Sequence, residues 1–513
     1  MDLSLLSYVV NVLTPANLVA ILLGTIVGLV IGAIPGLSPP MAIALMIPVS
    51  ITMPPDSAII MMMAVYAAGI YGGSFSAILL RVPGTSASAA SAIEGFELTK
   101  QGKALQAIRI STFASVVGGL LSGLALLLLA PPLAQASLLF GPAEMFLIAL
   151  LGLTAIASVT FGALFRALLA GLVGLYLATF GIDNYSGYPR YTFGYVGFSG
   201  GIDILPAIIG LFAFSQGLQL CEGPAMSTVS SNTKLSWNIL PRLSEIRYTW
   251  WSLVRGWTTG LIMGIIPAAG ASVAQWVAYG WERRYAKPGD KFGRGEIKGL
   301  AATEGANNGV TGTNMIPLFI LGIPGGISAA VILGALMIHG LQPGMRLFKN
   351  NPEIIYTIMW GFILANVVMG VVAAAMARIM AYLTIFPQGV LGPLILVFSV
   401  IGTYAGSNNI HAVWIMIGIG IVGYYAEMWR FSPAAILLGL ILGPIAENGF
   451  RDLMVVSNGE PVGYILGRPV ALIILAMLAF VLFYAVRPKK WEKLEAASTA
   501  ATPSTATPDR VQS

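Results

Sequence analysis

The chain has 513 residues, 57% hydrophobic and 9% charged, with a mean hydropathy of +0.84. A soluble chain would carry about a quarter charged residues, so a soluble enzyme or binding domain is excluded and an all-α polytopic membrane protein is expected. The net charge of +6 is not a nucleic-acid signal, because the basic residues collect in short loops rather than on one face.

The start, Met1-Asp2-Leu3, has no basic n-region and no small-residue cleavage site before the first long apolar run, so no removable signal peptide is expected. Hydrophobic runs follow near 17–35, 39–53, 57–81, 111–130, 145–161, 163–181, 204–221, 256–281, 308–322, 325–340, 353–380, 382–400, 411–427, 433–446 and 469–486. A bilayer crossing takes about 20 apolar residues, and several of these runs are too short to cross alone. The short ones cluster at Pro-Gly breaks, the pattern of discontinuous or re-entrant helices. Beyond Val486 the chain turns polar, and residues 487–513 read as a disordered tail. One cysteine, Cys221, cannot form an internal disulfide, and two histidines are too few for an ordinary His-based metal site.

The chain looks duplicated. Gly24 to Pro35 (GTIVGLVIGAIP) and Gly256 to Pro267 (GWTTGLIMGIIP) share six of twelve positions, among them glycines spaced every four residues on one helical face, which lets two backbones approach in lipid. Leu79 to Ala89 (LLRVPGTSASA) aligns with Ile320 to Ala330 (ILGIPGGISAA) through Leu80/Leu321, Pro83/Pro324, Gly84/Gly325 and Ala89/Ala330. The expected organisation is a first repeat over 1–222, a linker over 223–255, a second repeat over 256–486 and the tail. The loop Arg283 to Lys298 holds six basic residues and reads as cytoplasmic, whereas its counterpart after the first Gly-Pro segment, ITMPPDSA, holds none. That places equivalent loops on opposite sides, as two inverted repeats require.

Four breaks carry the chemistry: Pro35-Gly36-Leu37-Ser38, Pro83-Gly84-Thr85-Ser86, Pro267 to Ser272, and Pro324-Gly325-Gly326-Ile327-Ser328. A helix broken inside a membrane leaves backbone groups needing partners, and an exposed helix N-terminus favours anions. Any one of these is more often a kink with hydroxyls back-bonded to their own helix; four at duplicated positions point to a midplane carboxylate site. Its candidate substrate contacts are Gly36, Ser38, Gly84, Thr85, Ser86, Ser88, Gly325, Gly326 and Ser328, with Asn307, Asn308, Thr311, Thr313 and Asn314 from the polar strip Thr303 to Asn314. Candidates for ion coupling are Gly36, Pro83, Glu304, Asn308 and Pro324, with H⁺ or Na⁺ as the coupling ion, Na⁺ the one metal considered, and no cofactor. Glu304 is equally readable as a solvated or capping acid at a loop boundary. Asp183, Arg190 and Asp203 read as loop-fixing residues, and His339 and His411 as core or interface residues.

Enzyme readings are weak. GFSG (Gly197 to Gly200) matches the short serine motif of rhomboid intramembrane proteases, with Ser199 as the nucleophile, but four residues are a degenerate match. No phosphate loop, paired catalytic carboxylates or metal-ligand spacing occurs. A membrane sensor without transport is a further alternative.

IPGLSPPMAIALMIPVS, YGGSFSAILLRVPGTSASAASAIEGFELTKQGKA, GYPRYTFG with GIDILPAIIGLFAFS, and ATEGANNG…IPLFILGIPGG…LGALMIHGLQPG, in this order, closely resemble the large membrane subunit of the bacterial tripartite tricarboxylate transporters, over about residues 17–486. The resemblance implies an inner-membrane secondary transporter importing a carboxylate, whether tricarboxylate, dicarboxylate or aromatic acid, with H⁺ or Na⁺. It implies a periplasmic substrate-binding protein and a small four-helix membrane subunit as partners, allows a homodimer of the complex, and suggests an elevator-type mechanism. This chain departs from the family pattern in having Pro267-Ala268 for Pro-Gly, Glu94 for Asp before Gly95, Asp183-Asn184 for Asp-Pro, and Thr313 and Asn314 where small residues are usual. If Thr313 and Asn314 line the site, an acid other than citrate is favoured.

Overall fold

The computed structural model describes residues 8–136, 140–159, 164–183, 185–194, 196–222, 240–266, 270–383 and 388–486. The polar tail, most of the expected linker, and Pro267, Ala268 and Ala269 of the third break lie outside these residues. Among the described residues, eight helices are long and apolar enough to cross a membrane, and the one sheet is a two-residue antiparallel ribbon of β1 (Gly181–Ile182) and β2 (Pro189–Arg190).

After a short α1 (Val9–Val12), α2 (Pro15–Ala33) begins on a proline, whose fixed φ suits the first turn and whose missing N–H is not needed there. It ends because Ile34 precedes Pro35, which disfavours helical geometry; Ile34 is extended and Gly36 takes φ 90°. The helix resumes as α3 (Pro39–Ser50) with Ser38 as N-cap, its Oγ accepting from Met41 N at 3.4 Å. The central α4 (Pro55–Leu80) is buried along its whole apolar length and stops at Arg81 in left-handed geometry. The chain then turns back beside α4, where Gly84 N donates to Gly73 O at 3.2 Å. From there a 3₁₀ turn (Ser86–Ser88) and α5 (Ser91–Lys100) return to the end of α4, with Thr99 Oγ1 donating to Ile78 O at 2.8 Å. Pro83-Gly84 is therefore the tip of a re-entrant hairpin.

Four further helices complete the first half: α6 (Ala104–Ala136), α7 (Pro142–Val159), α8 (Leu164–Ala178) and α9 (Ile204–Glu222). The second half follows the same plan. The first helix, α10 (Leu243–Ile265), again gives way to an extended residue, Ile266, before a proline. Next come α11 (Gly270–Arg284), then α12 (Ile297–Thr313) and α13 (Met315–Leu321) joined at Asn314, and a left-handed stop at Gly322. Gly325 folds back against Asn314, and α14 (Ile327–Ile338) leads away. After α15 (Met345–Asn350) come the long helices α16 (Pro352–Leu383), α17 (Gln388–Ser407), α18 (Ile410–Met428) and α19 (Pro433–Val456), and α20 (Pro461–Leu466) and α21 (Pro469–Val486) close the described chain.

The halves interlock. Helix α6 packs on α10 and α12 of the other half, while α16 packs on α2 and α4. Helix α4 ends beside the basic loop where α12 begins, because Gln101 just beyond α5 donates through Nε2 to Arg294 O at 2.8 Å. At the opposite end, Ser50 at the end of α3 hydrogen-bonds His339 Nε2 just past α14 at 2.9 Å.

The two glycine triplets set close backbone approaches. A Cβ at Gly24, Gly28 or Gly32 would stand 2.3, 2.6 or 2.2 Å from the carbonyl oxygens of Met61, Val65 and Gly69 on α4. The equivalent Cβ at Gly256, Gly260 or Gly264 would stand 2.4, 2.6 or 3.0 Å from those of Ala302, Ala306 and Val310 on α12. Each triplet thus marks the face on which the first helix of a half meets its third, as small-residue packing in lipid requires. A Gly28→Leu protein should lose about 1–3 kcal/mol or more from overpacking against fixed backbone. That loss is read as a lower melting temperature in detergent, and an unchanged value would contradict this packing.

Candidate functional site

The breaks meet. A Cβ on Gly84 would lie 2.2 Å from Gly32 O, so the second break presses on the last turn before the first. Ser86 Oγ and Ser272 Oγ are 2.8 Å apart, joining the second break to the start of α11. A Cβ on Gly270 would lie 3.9 Å from Gly325 O, which brings in the fourth break. The half-helices α3, α5, α11 and α14 all begin at or just after this junction. The positive dipole ends of four helices therefore gather near one region, a setting for an anion; α3 contributes its dipole alone, since Pro39 and Pro40 carry no N–H and Met41 N is capped by Ser38 Oγ.

The sequence candidates divide once placed. Gly36 and Ser86 are exposed and Ser38 is partly so, its Oγ donating to Gln216 Oε1 at 2.9 Å. Pro83 is half-buried, and Gly84, Pro324, Gly325, Gly326 and Ser328 are buried as the hairpin frames. Thr85 and Ser88 are buried and cap each other: Ser88 Oγ donates to Thr85 O at 2.9 Å and accepts from Thr85 N at 3.4 Å. In this conformation their hydroxyls shape the hairpin tip. Thr311 donates to Asn308 O and Thr313 to Gly309 O, each back-bonding its own helix.

The polar strip is not a loop. Thr303 to Thr313 is continuous helix at the centre of the molecule, and Glu304 is fully buried within it. The solvated or capping reading of Glu304 is thereby corrected: small residues at 301–302, 305–306 and 309 let α6 and α10 close over this stretch. Glu304 Oε2 accepts from Ser74 Oγ at 2.9 Å and Ser115 Oγ at 3.1 Å. Its Oε1, both amide atoms of Asn307, and Oδ1 of Asn308 and of Asn314 have no hydrogen-bond partner. Asn308 Nδ2 reaches Ala67 O at 3.5 Å, and Asn314 Nδ2 donates to Tyr66 Oη at 3.1 Å. Buried polar atoms are ordinarily paired, so this row can take further partners, with Asn314 packed directly against Gly325 of the fourth break.

Sequence reasoning missed Gln275, which holds the second break in place. Its Oε1 accepts from Ala90 N at 2.8 Å and its Nε2 donates to Ser86 O at 2.5 Å. The available signal was a single amide side chain one turn beyond Ser272 in an otherwise small and apolar stretch. Glu94, noted in the sequence only as a departure from the family pattern, is an anchor: its buried carboxylate accepts from Tyr279 Oη at 2.7 Å and from Gly293, Gly295 and Glu296 N at 2.6, 2.9 and 2.8 Å.

At the far ends of α3 and α14, about 18 Å along twelve-residue helices, a crevice of about 860 Å³ opens among Ile51, Ile338, Arg190, Asp203, Ser407 and Glu447. Asp183 is tied there to Arg451 at 3.0 Å, and Arg190 to Glu447 at 2.8 Å. Hydrogen bonds from Ser186 and from the Arg451 guanidinium hold the Asp183 carboxyl well below the usual carboxylate range. These groups fix the β1–β2 connection, while Asp203 stands at the N-cap of α9 without a side-chain capping bond. Ser199 lines the same crevice; its carbonyl accepts from Ile182 N, and His339 is bonded to Ser50.

A family model described as the tripartite tricarboxylate transporter TctA family matches residues 18–438, a span that takes in all four breaks and the buried row. The chain belongs to that family. TctA-family proteins are the large subunit of a tripartite system, which implies partner subunits, and with eight candidate spans the chain is a multi-pass membrane component of a transporter. Two relatives from Agrobacterium vitis are similar to this TctA-family chain. One, an uncharacterized 52.8 kDa protein in the TAR-I ttuC' 3' region, is 32% identical over 465 residues, 91% of this chain and 92% of the relative. The other, an uncharacterized protein in the TAR-II ttuC' 3' region, is 31% identical over 227 residues, 43% of this chain and 94% of the relative. No solved structure matches.

Proposed function

We propose that this chain is the permease of a binding-protein-dependent secondary transporter that imports an organic carboxylate across the bacterial inner membrane, coupled to H⁺ or Na⁺. The observation that carries the reading is the convergence of four half-helix N-termini where Ser86 meets Ser272 at 2.8 Å. Such ends stabilise an anion without a fixed positive side chain, which suits a ligand that must also leave. The basic loop 283–298 belongs on the cytoplasmic side. The crevice near Arg190 and Glu447 then opens outward, where a periplasmic protein would deliver its cargo.

The two halves are inverted repeats in this reading, since α4 runs toward the basic loop and α12 runs away from it. An elevator motion would carry the body built on α2–α5 and α10–α14 past the long outer helices, with the small four-helix subunit completing the scaffold. The carboxylate identity follows from ligand screening of the partner binding protein, and the coupling ion from uptake measured under separate H⁺ and Na⁺ gradients.

In proteoliposomes holding this chain and its small membrane partner, an organic acid should accumulate only with binding protein present and an inward ion gradient imposed. Uptake indifferent to collapse of the gradient, or absent under all gradients, would overturn the reading. Ser86→Leu and Asn308→Leu should each abolish uptake while the chain still inserts; wild-type rates in both would remove those residues from the site.

A further inference from the structure

Glu304 is a carboxyl group enclosed by three unbroken helices and one short one. It rises from α12, with Ser74 of α4 and Ser115 of α6 donating to Oε2. The hydroxyls of Ser111 on α6 and Ser91 on α5 stand within interaction distance of the same carboxyl. Ser91 Oγ donates to Thr303 Oγ1 at 3.1 Å, while Ser111 Oγ and Glu304 Oε1 are both buried and have no hydrogen-bond partner.

Among the described residues, no Lys, Arg or His forms an ion pair with Glu304. From α4, Tyr71 lies close enough to feel its charge and is bonded to Thr112 at 2.5 Å. Other charged and titratable groups on the packed helices have partners: Asp56 of α4 with Asn17, Tyr66 of α4 with Asn314, Glu94 of α5 with Tyr279 of α11, Glu97 and Lys100 of α5 with each other, Glu282 of α11 with Arg255 of α10, and Lys298 of α12 with Asp290, while Arg109 of α6 also makes an interaction. An ionised carboxylate buried this way is strongly disfavoured unless a cation joins it.

We propose that Glu304, framed by the hydroxyls of Ser74, Ser91, Ser111 and Ser115, is a proton-binding site of this chain. A proton taken from water forms an O–H bond on Oε1, which then donates to the idle Ser111 Oγ, and the two unpartnered atoms satisfy each other. Oε2 stays an acceptor for Ser74 and Ser115. Na⁺ fits less well, because α4, α6 and α12 are continuous past the cluster and their carbonyls are committed to their own helices, leaving only side-chain oxygens. Ser74 also follows Gly73, whose carbonyl accepts from Gly84 N, so loading the proton is mechanically linked to the second hairpin tip. The inference deepens the transporter reading and rests on it for its role as the coupling step.

The test is infrared difference spectroscopy of the full chain in lipid nanodiscs, stepped between acidic and alkaline pH in choline chloride and in NaCl. A protonated-carboxyl C=O band should be present in the wild type, absent in Glu304→Gln, shifted in frequency in Glu304→Asp and shifted in its midpoint pH in Ser111→Ala. Replacing choline by Na⁺ at fixed pH should leave it unchanged. The absence of any Glu304-dependent band, or its removal by Na⁺ at constant pH, would overturn the proposal, the latter in favour of a sodium site. The readout needs no transported acid, so ion-driven uptake without the band refutes the proton site alone, and the band without uptake refutes the transporter reading alone.

Discussion

Glu94→Ala is expected to open the loop 285–296 to trypsin, with cleavage after Lys291 and Arg294 in membranes where the wild-type loop is slowly cut. Glu94 projects from α5 into a loop that has little apolar side-chain area of its own and depends on its backbone being held. Three N–H groups, of Gly293, Gly295 and Glu296, converge on the carboxylate within 2.6–2.9 Å, with the Tyr279 hydroxyl as a fourth donor. Gly293 and Gly295 adopt φ 80° and 91°, the geometry that points successive N–H groups at one anion. Hydrogen bonds to a charged acceptor contribute about 1.5–3 kcal/mol each, and every buried donor left unpaired costs about 1–3 kcal/mol. Several such losses together exceed what a loop of this kind has in reserve. Glu94→Gln keeps an acceptor oxygen and should give a smaller increase in cleavage. A cleavage pattern identical to wild type in the alanine variant would show that the loop is held by something else.

The second large effect is expected at Gln275. Gln275→Leu preserves side-chain bulk on α11 but leaves Ala90 N and Ser86 O without their partner. Orphaning the buried Ala90 N–H alone costs about 1–3 kcal/mol, and 1.4 kcal/mol is already a factor of about ten. Since these bonds position the hairpin tip carrying Ser86, uptake should fall at least about tenfold while the amount of inserted protein stays near normal. Proteoliposome uptake normalised to inserted protein decides it; a rate within about twofold of wild type would mean that the tip is held without Gln275.

Much of the fold was legible because its determinants are local. A residue before proline cannot easily stay helical, so the stops at Ile34 and Ile266 are written in the sequence. The glycine triplets at 24, 28, 32 and 256, 260, 264 announce close packing by their spacing alone. What was not legible depends on partners far along the chain. The strip at 303–314 has the composition of a polar segment, and its burial follows only from α6 and α10 closing over the glycines at 305 and 309. For the same reason Glu304 could be read as a solvated acid, since its hydroxyl partners Ser74 and Ser115 lie 230 and 189 residues away. Gln275 and Glu94 were invisible as anchors because each takes part of its role from backbone groups elsewhere, which no side-chain motif records. The hydroxyls of Thr85 and Ser88 were recognised as unusual in an apolar span, but their mutual capping required the tip geometry.

The central claim is that the four breaks form one aqueous, carboxylate-binding junction. It is tested most directly with a single thiol: the native cysteine removed by Cys221→Ala and Ser86→Cys introduced at the junction, in the chain assembled with its membrane partner. A membrane-impermeant thiol reagent should label position 86, and the acid accumulated in the uptake assay should slow this labelling while an uncharged analogue does not. A thiol inert to the reagent from both sides, or one labelled at the same rate with and without that acid, would contradict it.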